Sequence, residues 1–148
     1  MTTPNIPSNA LPNVLFVCRH NANRSQIAEA LLRAKFGDHF NAFSAGTEHT
    51  QVNPRAKLAL DELGIDTSAH SSKLLDDLNE IPMDYVVSVC NSAKEACVYF
   101  PARIQNIHHQ FQDPSKVKGT EEEITAAYRK ACTDIGAWID EFFGELAK

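Results

Sequence analysis

Short apolar runs alternate along the chain with stretches of helical periodicity. Val14-Leu15-Phe16-Val17 holds no polar residue and runs into a polar stretch that begins at Cys18. Such a run predicts a buried strand of a parallel sheet. From Ser25 the positions Ile27, Ala30, Leu31 and Ala34 recur at helical spacing until Gly37. Phe40 to Ser44 predicts a second strand, closed by Gly46. Asn53-Pro54 opens a helix with Ala56, Leu58, Leu60 and Leu63, stopped by Gly64. Ser71 to Leu78 predicts a short helix, Asp84 to Val89 a third strand and Ile104 to His108 a weaker fourth. Thr120 and Glu123 form a capping box that opens a long last helix. Its expected buried face is Ile124, Ala127, Tyr128, Ala131, Ile135, Trp138, Ile139 and Phe142.

Strands alternating with helices imply an α/β fold whose parallel sheet is covered on both faces. The expectation is a single three-layer sandwich around a four-stranded parallel sheet. Residues 13–148 form its one domain, behind a loose leader over residues 1–12 that carries Pro4, Pro7 and Pro12. Ligands of such sheets bind beyond the carboxyl ends of the strands. Cys18 and Cys90 both fall there.

Composition narrows the function. The formal net charge is -5 and no basic run tracks a phosphate backbone, which argues against nucleic acid as partner. A small anion can still be held by a local cluster of donors. No stretch resembles a membrane span or a signal-peptide core, so the expected location is cytoplasmic. In a reducing compartment the four cysteines, Cys18, Cys90, Cys97 and Cys132, are better read as catalytic or redox-active than as structural bridges. Zinc favours compact pairs such as CxxC, and the sequence has none. Cys132 lies within the last helix and reads as a core thiol. His108 and His109 read as surface or loop residues rather than metal ligands.

The chemistry concentrates in Cys18-Arg19-His20-Asn21-Ala22-Asn23-Arg24-Ser25, where five residues separate Cys18 from Arg24 between a strand and a helix. Successive N–H groups of a tight loop form an anion nest, and the helix that follows adds the positive end of its dipole. Arg24 brings a planar fork of donors suited to a tetrahedral oxyanion. The same field favours a thiolate at Cys18, and the Ser25 hydroxyl can donate to its sulfur. Arg19 and His20 either attract the anion or face solvent.

This loop resembles that of the low-molecular-weight tyrosine phosphatases and their relatives, the thioredoxin-coupled arsenate reductases. The similarity runs from Val14 through Cys18 and Arg24-Ser25-Gln26-Ile27-Ala28-Glu29, then Phe43-Ser44-Ala45-Gly46-Thr47 and Val52-Asn53-Pro54. It continues from Val86 to Cys90 and through Phe111-Gln112-Asp113-Pro114. Two features side with the reductases: the pair Cys90 and Cys97 after the third strand, and Ser115 where the phosphatases tend to carry an aromatic after Asp-Pro. Two features depart from the family. Many relatives have smaller residues in the loop and a further Cys where Asn23 stands. Some hold a potassium ion beside the loop; Asn21, Glu29 and Ser44 match that site, but Lys73 stands where an acidic ligand is expected. No bound metal and no cofactor are therefore predicted.

The resemblance implies a low-molecular-weight phosphatase-like fold and reduction of arsenate to arsenite. In the reaction it implies, loop amides and Arg24 hold arsenate, with phosphate or sulfate as mimics. Cys18 attacks arsenic and Asp113 protonates the leaving oxygen. Cys90 then attacks Cys18, releasing arsenite, and Cys97 attacks Cys90. Thioredoxin is the expected reductant. Bridged cysteines need Cα atoms roughly 4.4–6.8 Å apart. A helical segment between residues 90 and 97 would hold them about 10 Å apart along its axis, so that segment is expected to unwind when oxidised. Two rivals remain: a phosphatase using the same loop with water as resolving nucleophile, and an oxyanion or redox sensor that needs no proton donor.

Overall fold

In a computed structural model of the chain, residues 11–18, 23–48, 51–68, 70–89 and 100–147 are described. The elements are β1 (Asn13–Cys18), α1 (Arg24–Phe36), β2 (Asn41–Gly46), α2 (Pro54–Glu62), β3 (Tyr85–Ser88), β4 (Gln105–His108) and α3 (Glu121–Leu146), with short 3-10 helices at Leu75–Leu78 and Pro114–Lys116. The four strands form one all-parallel sheet in the order β2-β1-β3-β4. The expected α/β fold with a four-stranded parallel sheet is the one found.

β1 is buried along its whole length because it lies at the centre of the sheet, as its uninterrupted apolar run requires. Alternate side chains point to opposite faces. Val14 and Phe16 join the larger core with α1, α2 and α3, while Leu15 and Val17 join a smaller one with Leu78, Met83, Val86 and Phe100. The larger core is knit by edge-to-face rings: Phe143 packs on Phe40 at 5.2 Å and on Phe16 at 6.1 Å between centroids. Asp84 ties the amino ends of the strands together. It accepts from the backbone N–H of Asn13 at 2.8 Å and from both Nε and Nη2 of Arg103 at 2.9 and 2.7 Å.

Three expectations need correction. Residues 71 to 78 do not form one helix: only Leu75–Leu78 is helical, and Leu74 instead bridges to Gly46 at the sheet margin. That backbone contact outweighs the weak local helix preference of a Ser-Ser-Lys segment. On α3 the buried face is rotated from the expected one. Phe143 is fully buried, whereas Ile124, Ala127, Trp138 and Phe142 are half-buried. Trp138 and Phe142 stack on each other at 5.0 Å, outside the inner stripe of Tyr128, Ala131, Ile135 and Ile139. On α1 burial does not follow the expected positions Ile27, Ala30, Leu31 and Ala34: everything from Arg24 to Leu32 is buried, including Arg24, Ser25, Gln26 and Glu29, while Ala34 is exposed. No helix among the described residues is long and apolar enough to cross a membrane.

Candidate active site

The site forms where β1 ends and α1 begins. Cys18 is the last residue of β1, paired across the sheet with Gly46, and is 4% exposed. α1 starts at Arg24, so its first-turn N–H groups lie beside the end of β1. This places Ser25 against the nucleophile: its Oγ is 2.9 Å from the Cys18 Sγ. A hydroxyl there donates to a thiolate or accepts from a thiol.

The Arg24 side chain turns inward. Its Nη1 donates to the carbonyls of Val89 and Phe111, each at 3.3 Å, beyond the ends of β3 and β4. Its Nη2 lies 3.5 Å from Asp113 Oδ2. Two buried carbonyls thus fix one edge of the guanidinium and leave the other turned toward the acid loop. Asp113 has φ -80° and ψ 113°, the extended conformation that a following proline imposes. Its Oδ1 accepts from the Ser115 N–H at 2.9 Å and the Ser115 hydroxyl at 2.7 Å, capping the 3-10 turn Pro114–Lys116. Oδ2 is the oxygen left to face the site. Burial raises the Tyr128 phenol above its ordinary pKa, and the nearby Asp113 carboxylate pushes it further in the same direction.

Behind the loop lies a polar network that the sequence reading only partly anticipated. Glu29 is 5% exposed. It accepts a short hydrogen bond from Ser44 Oγ on one oxygen and a 2.6 Å bond from Arg33 on the other. Lys73 Nζ stands 3.6 Å from Glu29 Oε1 and donates to the Ser71 carbonyl at 2.9 Å. An ammonium therefore supplies positive charge beside Glu29, at the place where the resemblance marks a cation. Among the described residues no group of three or more His, Cys, Asp or Glu side chains could hold a metal ion.

Gln26 and His70 were missed. Gln26 Nε2 donates to the Ser71 carbonyl at 2.8 Å, so its Oε1 faces His70 Nδ1 at 3.0 Å. His70 Nδ1 must then carry the proton, and Nε2 is the acceptor facing Arg33 Nη1 at 3.4 Å. Burial lowers the His70 pKa below its ordinary value; the positive charges of Arg33, Lys73 and Lys57 add to this, and Glu29 opposes it. A glutamine three residues before Glu29 on one helical face was the available signal.

Of the expected site residues, Cys18, Arg24, Ser25 and Asp113 come together. Asn23 occupies the position before α1, but its side chain makes no capping hydrogen bond. Its Oδ1 is the one buried side-chain polar atom among the described residues without a hydrogen-bond partner. An orphan of that kind costs about 1–3 kcal/mol. Arg19, His20, Asn21, Ala22, Cys90 and Cys97 lie outside the described residues, as does most of the leader. Cys132 is buried, and desolvation pushes its thiol up to about 11.

Residues 13–148 match the family described as low molecular weight phosphotyrosine protein phosphatase. An arsenate reductase of Halalkalibacterium halodurans is 37% identical over 129 residues, covering 87% of this chain and 93% of that one. The solved structure of an arsenate reductase from Archaeoglobus fulgidus is 29% identical, with a TM-score of 0.71 over 88% of this chain and 98% of that one. A thioredoxin-dependent arsenate reductase from Corynebacterium glutamicum is 28% identical, with a TM-score of 0.60 over 88% of this chain and 63% of that one. The chain belongs to the low molecular weight phosphotyrosine protein phosphatase family, on the branch of its arsenate reductases.

Proposed function

We propose that this chain reduces arsenate to arsenite through a relay of three cysteines. The observation that carries the reading is the meeting of the Cys18 thiol, the Arg24 fork and the Asp113 carboxylate at the carboxyl ends of the strands. The 37% identity to an arsenate reductase points the same way.

Arsenate binds to the loop from Cys18 to Ser25, with Arg24 and the loop amides as donors. The Cys18 thiolate forms a bond to arsenic, and an arsenic–oxygen bond breaks. Asp113, protonated at that moment, gives its proton so that the oxygen leaves as water. Ser25 holds the sulfur in line. The Cys90 thiolate then attacks the Cys18 sulfur, forming a Cys18–Cys90 disulfide. The pair of electrons in the sulfur–arsenic bond passes to arsenic, which leaves as arsenite. Cys97 attacks Cys90, leaving a Cys90–Cys97 disulfide and a free Cys18. A dithiol protein of the thioredoxin type returns the chain to its reduced form, which suits a reducing, cytoplasmic setting.

The test is a single turnover. Fully reduced protein is mixed with arsenate and no reductant, arsenite is measured, and disulfides are mapped by peptide mass spectrometry. The expected outcome is about one arsenite per chain and a Cys90–Cys97 bridge, as two-electron stoichiometry requires. Cys97→Ser is expected to stop at a Cys18–Cys90 bridge after one arsenite. Release of phosphate from an aryl ester without any arsenite formation would favour the second reading. That reading is a phosphatase using the same three residues, and the family description is what supports it.

A further inference from the structure

We propose that Trp138 is a positioning residue for the general acid: its ring clamps His109 and Phe111, and through them holds Asp113 where it can protonate the leaving oxygen. The inference rests on the arsenate reading above and names a residue on α3 that governs its first chemical step.

A general acid works only when its carboxyl lies within hydrogen-bond reach of the oxygen it protonates. Asp113 is carried by the chain that follows β4, so its place depends on how that chain is tied down. On its carboxyl side the tie is local, the 3-10 turn Pro114–Lys116 with Pro114 buried. On its amino side the chain leaves β4 at His108. The His109 N–H still donates to the Ser88 carbonyl at 2.9 Å. From there to Asp113, the backbone hydrogen bond among the described residues is the one that the Phe111 carbonyl accepts from Arg24 at 3.3 Å. The rest of the hold is made by rings.

Trp138, the chain's one tryptophan, supplies it. Its ring stacks on His109 at 5.1 Å between centroids, with 28° between planes, and meets Phe111 edge-on at 5.9 Å. His109 and Phe111 lie 4.6 Å apart, so each loop ring packs on the other as well as on the tryptophan. Trp138 is itself fixed on α3, stacked on Phe142 at 5.0 Å and edge-on to Phe143 at 5.8 Å. Phe111 therefore joins two contacts in one residue: its ring meets Trp138 and its carbonyl holds Arg24. Asp113 follows two residues on and faces the same guanidinium at 3.5 Å. A tryptophan that only filled the core would sit on the inner stripe of α3. This one is half-buried and packs on the acid loop.

The experiment follows the first turnover with arsenate by rapid quench, in reduced protein without reductant, beside phosphate protection of Cys18 from alkylation. Trp138→Leu keeps an apolar side chain and removes the stack. Arsenite formation is expected to slow by about 10–100-fold, the scale of a small misplacement of a reacting group. Phosphate protection is expected to stay close to that of the unaltered protein, because Arg24 keeps the Val89 carbonyl. Trp138→Phe is expected to restore most of the rate. In an Asp113→Asn background Trp138→Leu is expected to slow the reaction no further, since the acid it places is gone. Phe40→Leu loosens the same aromatic core through Phe143, and Phe40 makes no ring contact with His109 or Phe111 among the described residues. It is expected to lower stability without slowing the first turnover. His109→Ala, which leaves α3 intact, is expected to slow it and serves should Trp138→Leu not fold. An unchanged rate in folded Trp138→Leu or in His109→Ala overturns the proposal. So does an undiminished effect of Trp138→Leu in Asp113→Asn, or equal slowing in Phe40→Leu. Absence of arsenite from the unaltered protein removes the arsenate reading itself, an outcome distinct from a rate that ignores Trp138.

Discussion

The Arg24 guanidinium and the Asp113 carboxylate face each other at 3.5 Å, on side chains that are 6% and 18% exposed. Arg24 thus offers Asp113 the same edge that the proposed mechanism offers the oxyanion. The carboxylate and the substrate compete for that edge while Asp113 is ionised. Protonation of Asp113 frees the guanidinium and arms the acid in one step.

Asp113→Asn separates the two effects. The amide cannot supply the proton, so formation of the Cys18–arsenic adduct is expected to slow by about 10²–10⁴-fold. The competing charge is also gone, so phosphate is expected to bind at least as tightly as before. Rapid-quench measurement of the first turnover, together with phosphate protection of Cys18, checks both. Weaker phosphate binding in this variant would show that Asp113 supports the anion rather than competing with it.

Arg24→Lys keeps the charge but not the fork. One ammonium nitrogen cannot replace a fork whose Nη1 bonds the Val89 and Phe111 carbonyls while Nη2 faces the acid loop. Two buried carbonyls then lose a donor, which is expected to lower stability by about 1–3 kcal/mol in urea unfolding. Phosphate affinity is expected to fall by about tenfold or more, given that hydrogen bonds to charged groups contribute about 1.5–3 kcal/mol. A variant with full stability and affinity would mean that only the charge of Arg24 matters.

His70 gives the protein a pH dependence outside the catalytic chemistry. Its folded pKa is depressed, so between the unfolded value, about 6.5, and the lower folded value the unfolded chain binds more protons. The stabilisation is fully present above the unfolded value and is lost as pH falls through the folded one. Protonation puts a second positive charge against Arg33 and breaks the Arg33–His70 contact. His70→Gln preserves a donor and an acceptor without titrating. The fall in melting temperature between pH 7 and pH 5 is expected to be shallower in that variant. Parallel curves for the two proteins would remove His70 as its source.

Cys132 is expected to stay out of the relay. Its side chain floors a groove of about 640 Å³ between the three α-helices, yet the residue is 4% exposed and its thiol is pushed up to about 11. Alkylation of the reduced native protein at neutral pH is expected to leave Cys132 unmodified, since the thiolate is the reactive form. Cys132→Ala is expected to preserve repeated turnover with arsenate. Loss of turnover in a folded Cys132→Ala protein would require a fourth redox-active sulfur.

Much of this was legible in the order of residues because it is local. The Val14–Val17 run makes β1 a central strand, the Thr120–Glu123 box starts α3, and Pro114 sets the backbone of Asp113. Strand, cysteine, five residues, arginine and helix need only nearby chain to place Cys18 at the end of β1 and Arg24 at the start of α1. Local pattern misled where distant chain intervened. Residues 71 to 74 look helical until Leu74 finds Gly46. α1 shows apolar residues at helical spacing, but packing on several sides also buries its polar first turns.

The pairings that turn these parts into a site come from chain far apart in sequence. Arg24 meets Val89, Phe111 and Asp113, Gln26 meets His70, and Glu29 meets Ser44 and Lys73. A sequence states which donors and acceptors exist, because that is side-chain chemistry. Which of them lose water together, and which is left with no partner as Asn23 is, depends on how the sheet brings separate loops to one end. Only the tertiary structure decides that.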